Sequence, residues 1–231
     1  MTGYGQFCPM AKATEILGEK WCLLIVRELL MGATRFSDLQ KGLSKISPTI
    51  LTKRLKQLEA GGIIVRKRQP GKRINEYRLT PAGRELAPLM EQTAIWGMRW
   101  ARGQLVDEEL DVYLLMREIR KQLKTDELPD GQTVLSFSFT DLSTYAKWWL
   151  IIDGGDVDLC SDNPGKDVDL YVTADIRTMV EVWMGDLSLR QCLKAERIEV
   201  VGDAHLARRM SKWFGFSMFS EVPRPDTKLL S

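Results

Sequence analysis

The stretch that most constrains this 231-residue chain runs from Arg35 to Leu79. Ser47 is a good helix N-cap, and Pro48 suits the first helical position, where no backbone N–H is missed. Gly61-Gly62 stops the helix that begins there. Between cap and stop, Leu51, Leu55 and Leu58 fall at i, i+4 and i+7 and make one apolar stripe. That stripe turns Thr49, Lys53, Lys56 and Gln57 the other way, with Thr52 beside them. Ahead of this helix, Arg35 to Leu43 reads as a shorter one whose Phe36 and Leu39 are expected to pack on Leu51 and Leu55. Behind it, Ile63-Ile64-Val65 opens a strand, Gln69-Pro70-Gly71 turns the chain, and Ile74 to Leu79 returns.

Helix, turn, helix, hairpin is the order of a winged helix-turn-helix. An outward face of hydroxyl, amide and ammonium groups can touch phosphates and read base edges, although most such faces are only solvated surface. The hairpin tip shifts the balance, because it gathers Arg66, Lys67, Arg68, Lys72 and Arg73 within eight residues. Cations so crowded repel one another unless a polyanion lies beside them. Charge also divides the chain. Met1 to Gly103 carries 18 Lys/Arg against 8 Asp/Glu, a net of +10, whereas Gln104 to Ser231 carries 15 against 23, a net of −8. The near-neutral total of +2 thus joins a basic module to an acidic one, and phosphates would repel the second.

The same residues carry a resemblance. Cys8-Pro9-Met10, Gly18-Glu19-Lys20-Trp21, Arg35-Phe36-Ser37-Asp38-Leu39, Ile46-Ser47-Pro48, Arg54 to Glu59, Gly61-Gly62-Ile63 and Tyr77 to Gly83 follow in order over about the first hundred residues. In this they resemble HxlR-type winged helix-turn-helix transcription regulators. The resemblance implies a dimer that binds promoter DNA, with the N-terminal helix and the helix after the wing at the dimer contact. The candidate DNA-contacting set is Arg35, Ser47, Thr49, Thr52, Lys53, Arg54, Lys56, Gln57, Arg68, Lys72 and Arg73. The expected DNA is a double-stranded inverted repeat. The resemblance also marks Cys8, since some relatives use a cysteine at this motif to sense oxidants or electrophiles. A thiol at the start of a helix is chemically suited to that, but a small buried residue is the commoner use of cysteine.

Around this core, Met10 to Leu17 and Lys20 to Met31 are expected helices, the second with Trp21, Leu24, Ile25, Val26 and Leu29 on its apolar face. Thr80-Pro81 opens another helix, running to about Arg102, and Pro88 within it predicts a kink or break near Leu86. Leu89, Trp96 and Trp100 make this helix too apolar to stand free, which points to a second copy of the chain as its partner. The organisation expected is a DNA-binding and dimerisation domain over residues 1–104 and a second domain over 105–231.

The second half reads as α+β. A helix from about Leu110 to Leu123 precedes strands at Val134 to Phe139, Trp148 to Ile152, Asp156 to Cys160 and Val168 to Thr173. These are expected to form an antiparallel meander, the first of them half-buried with its serines outward. Helices at Asp175 to Met184 and Leu187 to Ala195, a strand at Ile198 to Val201 and a last helix from Asp203 to Phe214 complete it. From about Leu110 to Phe219 this half resembles the sterol-carrier-protein-like domain, through Gly185-Asp186-Leu187, Ile198-Glu199-Val200, Gly202-Asp203 and Leu206-Ala207. That likeness implies a twisted, mainly antiparallel five-stranded sheet with helices on one side and an apolar tunnel between. Trp148, Trp149, Met179, Trp183 and Trp213 are the candidate lining, although adjacent Trp148 and Trp149 must face opposite sides of a strand.

Catalysis finds little support. His205 is the single histidine, there is no glycine-rich phosphate loop, and neither the four cysteines nor the aspartates from Asp153 to Asp169 have metal-ligand spacing. No cofactor or metal is expected. No apolar run approaches the ~18 to 20 residues of a membrane span, and no apolar leader opens the chain, so a soluble, cytoplasmic protein is expected. The leading expectation is a sequence-specific regulator whose second domain senses an apolar or amphipathic small molecule. The rivals are a lipid-carrier-like protein that uses its helix-turn-helix as a protein adaptor, and a regulator switched by oxidation of Cys8.

Overall fold

A computed structural model describes residues 3–68 and 75–225. The chain divides into two compact units, Met1–Trp96 and Gly97–Ser231. The first contains α1 (Pro9–Leu17), α2 (Cys22–Leu30), α3 (Phe36–Gly42), α4 (Pro48–Ala60), the strands β1 (Ile64–Arg68) and β2 (Asn75–Leu79), and α5 (Pro81–Arg84). After these, α6 (Ala87–Trp100) runs across the boundary.

Local chemistry sets α4. The Ser47 hydroxyl oxygen accepts the Ile50 N–H at 3.3 Å and Pro48 takes the first turn. At the other end the Gly61 N–H donates to the Gln57 carbonyl, and Gly62 leaves the helix at φ +72°, where a Cβ would be strained. Leu51, Leu55 and Leu58 are buried with Leu39 of α3 and with Cys22, Ile25, Val26 and Leu29 of α2. The α2 face therefore differs by one column from expectation. The helix starts at Cys22, so Cys22, Ile25, Val26 and Leu29 form the i, i+3, i+4, i+7 stripe and Leu24 is exposed. Thr80 caps α5, whose helix breaks at Glu85–Leu86 before α6, as Pro88 requires. The two strands pair antiparallel, Ile64 opposite Leu79 and Arg68 opposite Asn75. The expected turn at Gln69-Pro70-Gly71 lies outside the described residues.

The second unit adds α7 (Val112–Gln122), β3 (Gln132–Phe139), β4 (Lys147–Asp153), β5 (Asp156–Cys160), β6 (Leu170–Ala174), α8 (Ile176–Trp183), α9 (Leu189–Lys194), β7 (Ile198–Gly202), α10 (Ala204–Arg208) and α11 (Met210–Trp213). Its sheet has the order β5-β4-β3-β6-β7. The meander holds for β3, β4 and β5 only, because β6 returns to pair parallel with β3. Strand β3 is therefore central, not half-exposed, and Ser136 is buried on the face opposite Leu135 and Phe137. The connection 161–169 must cross β4 and β3 to reach β6. Lys166 Nζ donates to Gln132 Oε1 at 2.6 Å, which places the connection on the Gln132–Ser136–Trp149 face. The expected last helix is two, parted at Arg209, whose N–H is shared between the His205 and Leu206 carbonyls. Among the described residues no helix is long and apolar enough to cross a membrane.

Residues of α7, α8, α10 and α11 cover the other face of the sheet, where Met116, Ile119, Met179, Val182, Trp213 and Phe214 are buried with Leu135, Phe137 and Leu150. The α8 start is fixed by charge. Asp175 accepts the Thr178 N–H at 2.7 Å and its hydroxyl at 2.6 Å, and Arg197 in turn donates to that hydroxyl oxygen at 2.7 Å. Burial pushes the Asp175 carboxyl up, but the Thr178 hydrogen bonds and Arg197 outweigh it and leave the group below its ordinary value of 3.8.

Two predictions follow from this packing. A Cβ on Gly215 would lie 1.7 Å from the Gln122 carbonyl oxygen, backbone against backbone, whereas one on Gly97 in α6 meets nothing within 4 Å. Gly215→Ala should cost at least about 2 kcal/mol in urea unfolding, and Gly97→Ala should be neutral or stabilise by up to ~1 kcal/mol. The depressed Asp175 carboxyl binds its proton less readily folded than unfolded. Its contribution is therefore present above the unfolded value and lost as pH falls through the folded one. Asp175→Asn should accordingly flatten the acid limb of a stability-versus-pH curve, and an unchanged limb would show that Asp175 does not couple folding to pH.

Candidate functional site

On α4 the outward face consists of Thr49, Thr52, Lys53 and Lys56, all exposed. The Thr52 hydroxyl donates to the Pro48 carbonyl at 2.8 Å, which leaves its oxygen lone pairs outward. Ser47 is exposed but spends one acceptor position on the cap. Arg35 is exposed at the start of α3, where its backbone N–H donates to the Asp38 carboxylate at 3.1 Å, and its backbone pairs antiparallel with that of Glu76 in β2. Arg66, Lys67 and Arg68 are exposed along β1, with Arg66 Nε 3.9 Å from a Glu59 oxygen. Lys72 and Arg73 lie outside the described residues.

Two members of the sequence-derived set face inward. Arg54 is 8% exposed. Its Nε donates to the Lys20 carbonyl at 3.0 Å, one terminal nitrogen to Gln57 Oε1 at 3.1 Å and the other to the Glu19 carboxylate. The Gln57 amide then donates to the Ile16 carbonyl at 3.1 Å. All of this is directed at the corner between α1 and α2. The physical reason lies in the helical wheel: Gln57 stands one turn on from Arg54, on the flank of the leucine stripe and not opposite it. A guanidinium hidden from water needs partners, and the open carbonyls of that corner supply them. Arg54 and Gln57 are thus withdrawn from the outward face of α4 and support it from behind.

Along α6 no residue is buried, and Leu89, Trp96 and Trp100 are exposed, Trp96 at 61%. Cys8 is exposed at the cap of α1, while burial pushes up the thiols of Cys22 and Cys192.

The five candidate ligand residues do not converge on one space. Trp148, Met179 and Trp213 are packed in the core of the second unit, with the Trp148 indole N–H on the Tyr145 carbonyl at 2.7 Å and that of Trp213 on Leu206 at 2.9 Å. Trp183 is half-buried at the edge of this core. Trp149, paired with Ser136, is buried on the opposite face of the sheet. The expected tunnel lining is thereby split between two faces.

An opening in this unit lies elsewhere, in a cleft of about 370 Å³ lined by Asp107, Leu110, Asp141, Leu142, Ile176 and Arg177. Its near wall is the segment after α6, with short 3-10 turns at Arg102–Gln104 and Asp107–Glu109, which is fastened along α8. Arg102 Nε meets Asp186 at 3.1 Å at one end, and Arg177 Nε donates to Asp107 at 2.7 Å at the other. Sequence reasoning missed these residues because the partners are 70 or more positions apart and no local pattern announces them.

The two kinds of residue on α4 respond differently to mutation. Lys53→Ala should leave stability within about 0.5 kcal/mol and, on DNA, lower the slope of log affinity against log salt by roughly 0.9 if Lys53 neutralises one phosphate. Arg54→Ala should instead cost about 1–3 kcal/mol of folding stability, because the Lys20 carbonyl and Gln57 lose a charged donor. Thermal unfolding and fluorescence anisotropy on the same pair of variants would expose any mixing of the two roles.

The HxlR-like helix-turn-helix family matches residues 16–104 and the SCP-2 sterol transfer family matches residues 114–215. The chain is 36% identical over 104 residues to the HTH-type transcriptional regulator YvaP of Bacillus subtilis, spanning 44% of this chain and 96% of that protein. It is 39% identical over 98 residues to the HTH-type transcriptional regulator sll1512 of Synechocystis, spanning 42% and 72%. Among solved structures, the reduced form of the transcriptional regulator YodB from B. subtilis is 29% identical, covers 42% of this chain and 98% of its own, and superposes with a TM-score of 0.38. The first family match falls mostly on the first unit and the second lies within the second unit. With a helix-turn-helix, a paired wing and a near-complete match to a relative above 30% identity, the chain belongs to the HxlR-like helix-turn-helix family of transcriptional regulators and carries a second domain that matches the SCP-2 sterol transfer family.

Proposed function

We propose that the protein is a homodimeric, sequence-specific DNA-binding regulator whose second unit senses an apolar or amphipathic small molecule. The observation that carries the DNA reading is the division of labour on α4. Arg54 and Gln57 hold the helix from behind, and Thr49, Thr52, Lys53 and Lys56 are left outward beside a basic wing. Hydroxyls and ammonium groups at that spacing suit a major groove, and Arg66, Lys67 and Arg68, with Lys72 and Arg73 further along the wing, suit the flanking phosphates. Arg35 and Ser47 stand at the starts of their helices, where they can contact backbone phosphate. Regulation requires more than DNA contact. An effector acts only through its different affinities for the DNA-competent and DNA-incompetent states, and the acidic second unit supplies the separate site such coupling needs.

The dimer reading rests on α6. Three large apolar side chains exposed on one helix are costly in water and form a surface that a second copy would cover. A two-fold dimer would set two copies of α4 about 34 Å apart, so the operator should be an inverted repeat with half-sites about one helical turn apart. The test combines sedimentation with anisotropy on the DNA upstream of the protein's own gene. Wild type should sediment as a dimer and bind a two-half-site fragment far more tightly than a single half-site. The Trp96→Ser, Trp100→Ser double variant should be a folded monomer that has lost this preference. A dimer that survives both substitutions would move the interface off α6, and equal affinity for upstream and random DNA would remove sequence-specific regulation.

A further inference from the structure

The cleft on the second unit has a definite chemistry. Three of its walls are apolar, Leu110, Leu142 and Ile176, and the rest are Asp107, Asp141 and Arg177. The donors are partly used, with the Glu181 contact at ion-pair and not hydrogen-bond distance. Arg177 gives its Nε to Asp107 at 2.7 Å, lies 3.7 Å from a Glu181 oxygen through one terminal nitrogen, and reaches the Leu105 carbonyl at 3.5 Å with the other. The Ile176 N–H, which would otherwise present a helix start to an anion, is taken by Asp141 Oδ1 at 3.0 Å. The acceptors are less fully used. Asp107 engages Arg177 through Oδ1 and Asp141 engages Ile176 through Oδ1, which leaves the second oxygen of each carboxylate available. The side chain of Asp107 is 78% exposed. The formal charge of the lining is −1, in a half of the chain that carries −8.

We propose that this cleft binds a small organic cation with an apolar body, an alkyl- or arylalkylammonium. Its ammonium donates to the free oxygens of Asp107 and Asp141, and its hydrocarbon lies against Leu110, Leu142 and Ile176. A volume of about 370 Å³ is at the lower end of what small-molecule sites enclose, which suits a ligand of this size. An anion is disfavoured twice, since it meets two carboxylates and finds the helix start occupied by Asp141. The cleft lies at the rim of the core around Trp148, Met179 and Trp213, with which it shares Ile176, and differs in chemistry from a wholly apolar chamber. Its near wall is the segment that follows α6 in the chain, so an occupant of the cleft touches the partner of Arg177 on that segment. The regulatory meaning of the site rests on the sensing function proposed above, whereas the binding itself does not.

The test titrates the full-length protein calorimetrically with hexylammonium chloride, using hexanol and sodium hexanoate as neutral and anionic counterparts of equal length. Hexylammonium should bind with one-to-one stoichiometry and at least about tenfold more tightly than either counterpart. Asp107→Asn should weaken it severalfold. Asp141→Asn should do the same while keeping an oxygen for the Ile176 N–H, and circular dichroism should confirm that both variants are folded. If Asp141→Asn proves unstable, the exposed Asp107→Asn decides alone. No binding up to ~10 mM, equal affinity for hexanol, or an affinity unchanged by Asp107→Asn would each overturn the site. Operator binding with and without saturating hexylammonium separates the two readings. A change of about fivefold or more joins the site to regulation. Binding that leaves operator affinity unchanged supports the cleft and removes its sensing role. A response to a different ligand, with no hexylammonium bound, removes the cleft and keeps the sensing function.

Discussion

The arrangement of the first unit depends on one buried guanidinium. Arg54 lies inside the domain, and its charge is tolerable only because it reaches the Lys20 carbonyl, Gln57 and Glu19 at the same time. Leucines alone hold a helix against a core but allow it to roll, since apolar contact has no direction. Hydrogen bonds from two successive turns of α4 to the carbonyls of Ile16 and Lys20 remove that freedom. The leucine stripe supplies adhesion and the Arg54–Gln57 pair supplies the angle, and the angle decides which side chains meet a groove.

The second unit is governed by a topological constraint. Because β6 pairs parallel with β3, the chain must cross two strands after Cys160, and the connection 161–169 lies on the face that the helices leave uncovered. Both faces of β3 are consequently buried, which explains how Ser136 and Trp149 can be shielded where a simple meander would leave them wet. The helical side is filled with large side chains, and the cleft lies at the rim, where the segment after α6, the turn after β3 and the start of α8 meet.

How much of this was legible in the sequence follows from the range of the interactions. Elements fixed locally were readable: the Ser47-Pro48 start, the Gly61-Gly62 stop, the break before Pro88. Periodicity also separated Leu51, Leu55 and Leu58 from Thr49, Lys53 and Lys56 correctly. It placed Gln57 outward, where the structure turns it inward, because a polar residue on the flank of a stripe has the same pattern whether it faces water or a backbone carbonyl 41 residues away; Arg54, included among the candidate DNA contacts, is likewise tied inward, to a carbonyl 34 residues away. Pairings across the sheet failed for a similar reason. Nothing in the spacing of β5 and β6 states that the chain passes over its neighbours, so the parallel partner and the burial of Ser136 were hidden; that Trp148 and Trp149 face opposite sides was legible, and only which of them enters the helical core was not. The cleft was invisible because Asp107 and Arg177 are each unremarkable where they stand in the chain.

The interleaving on α4 has a consequence for how such regulators diversify. Lys53 and Arg54 are adjacent in sequence, as are Lys56 and Gln57, yet in each pair one side chain faces outward and its neighbour is tied to the α1–α2 corner. Among the described residues the outward positions share no hydrogen-bond partner with the inward ones, so a substitution outside leaves the inward anchors in place. The vocabulary of the helix can therefore drift, position by position, without disturbing the grammar that orients it. If the outward residues read DNA as proposed, a duplicated copy could acquire a new operator through Thr49, Lys53 and Lys56 alone, and the mutational path between two specificities need not pass through an unfolded protein.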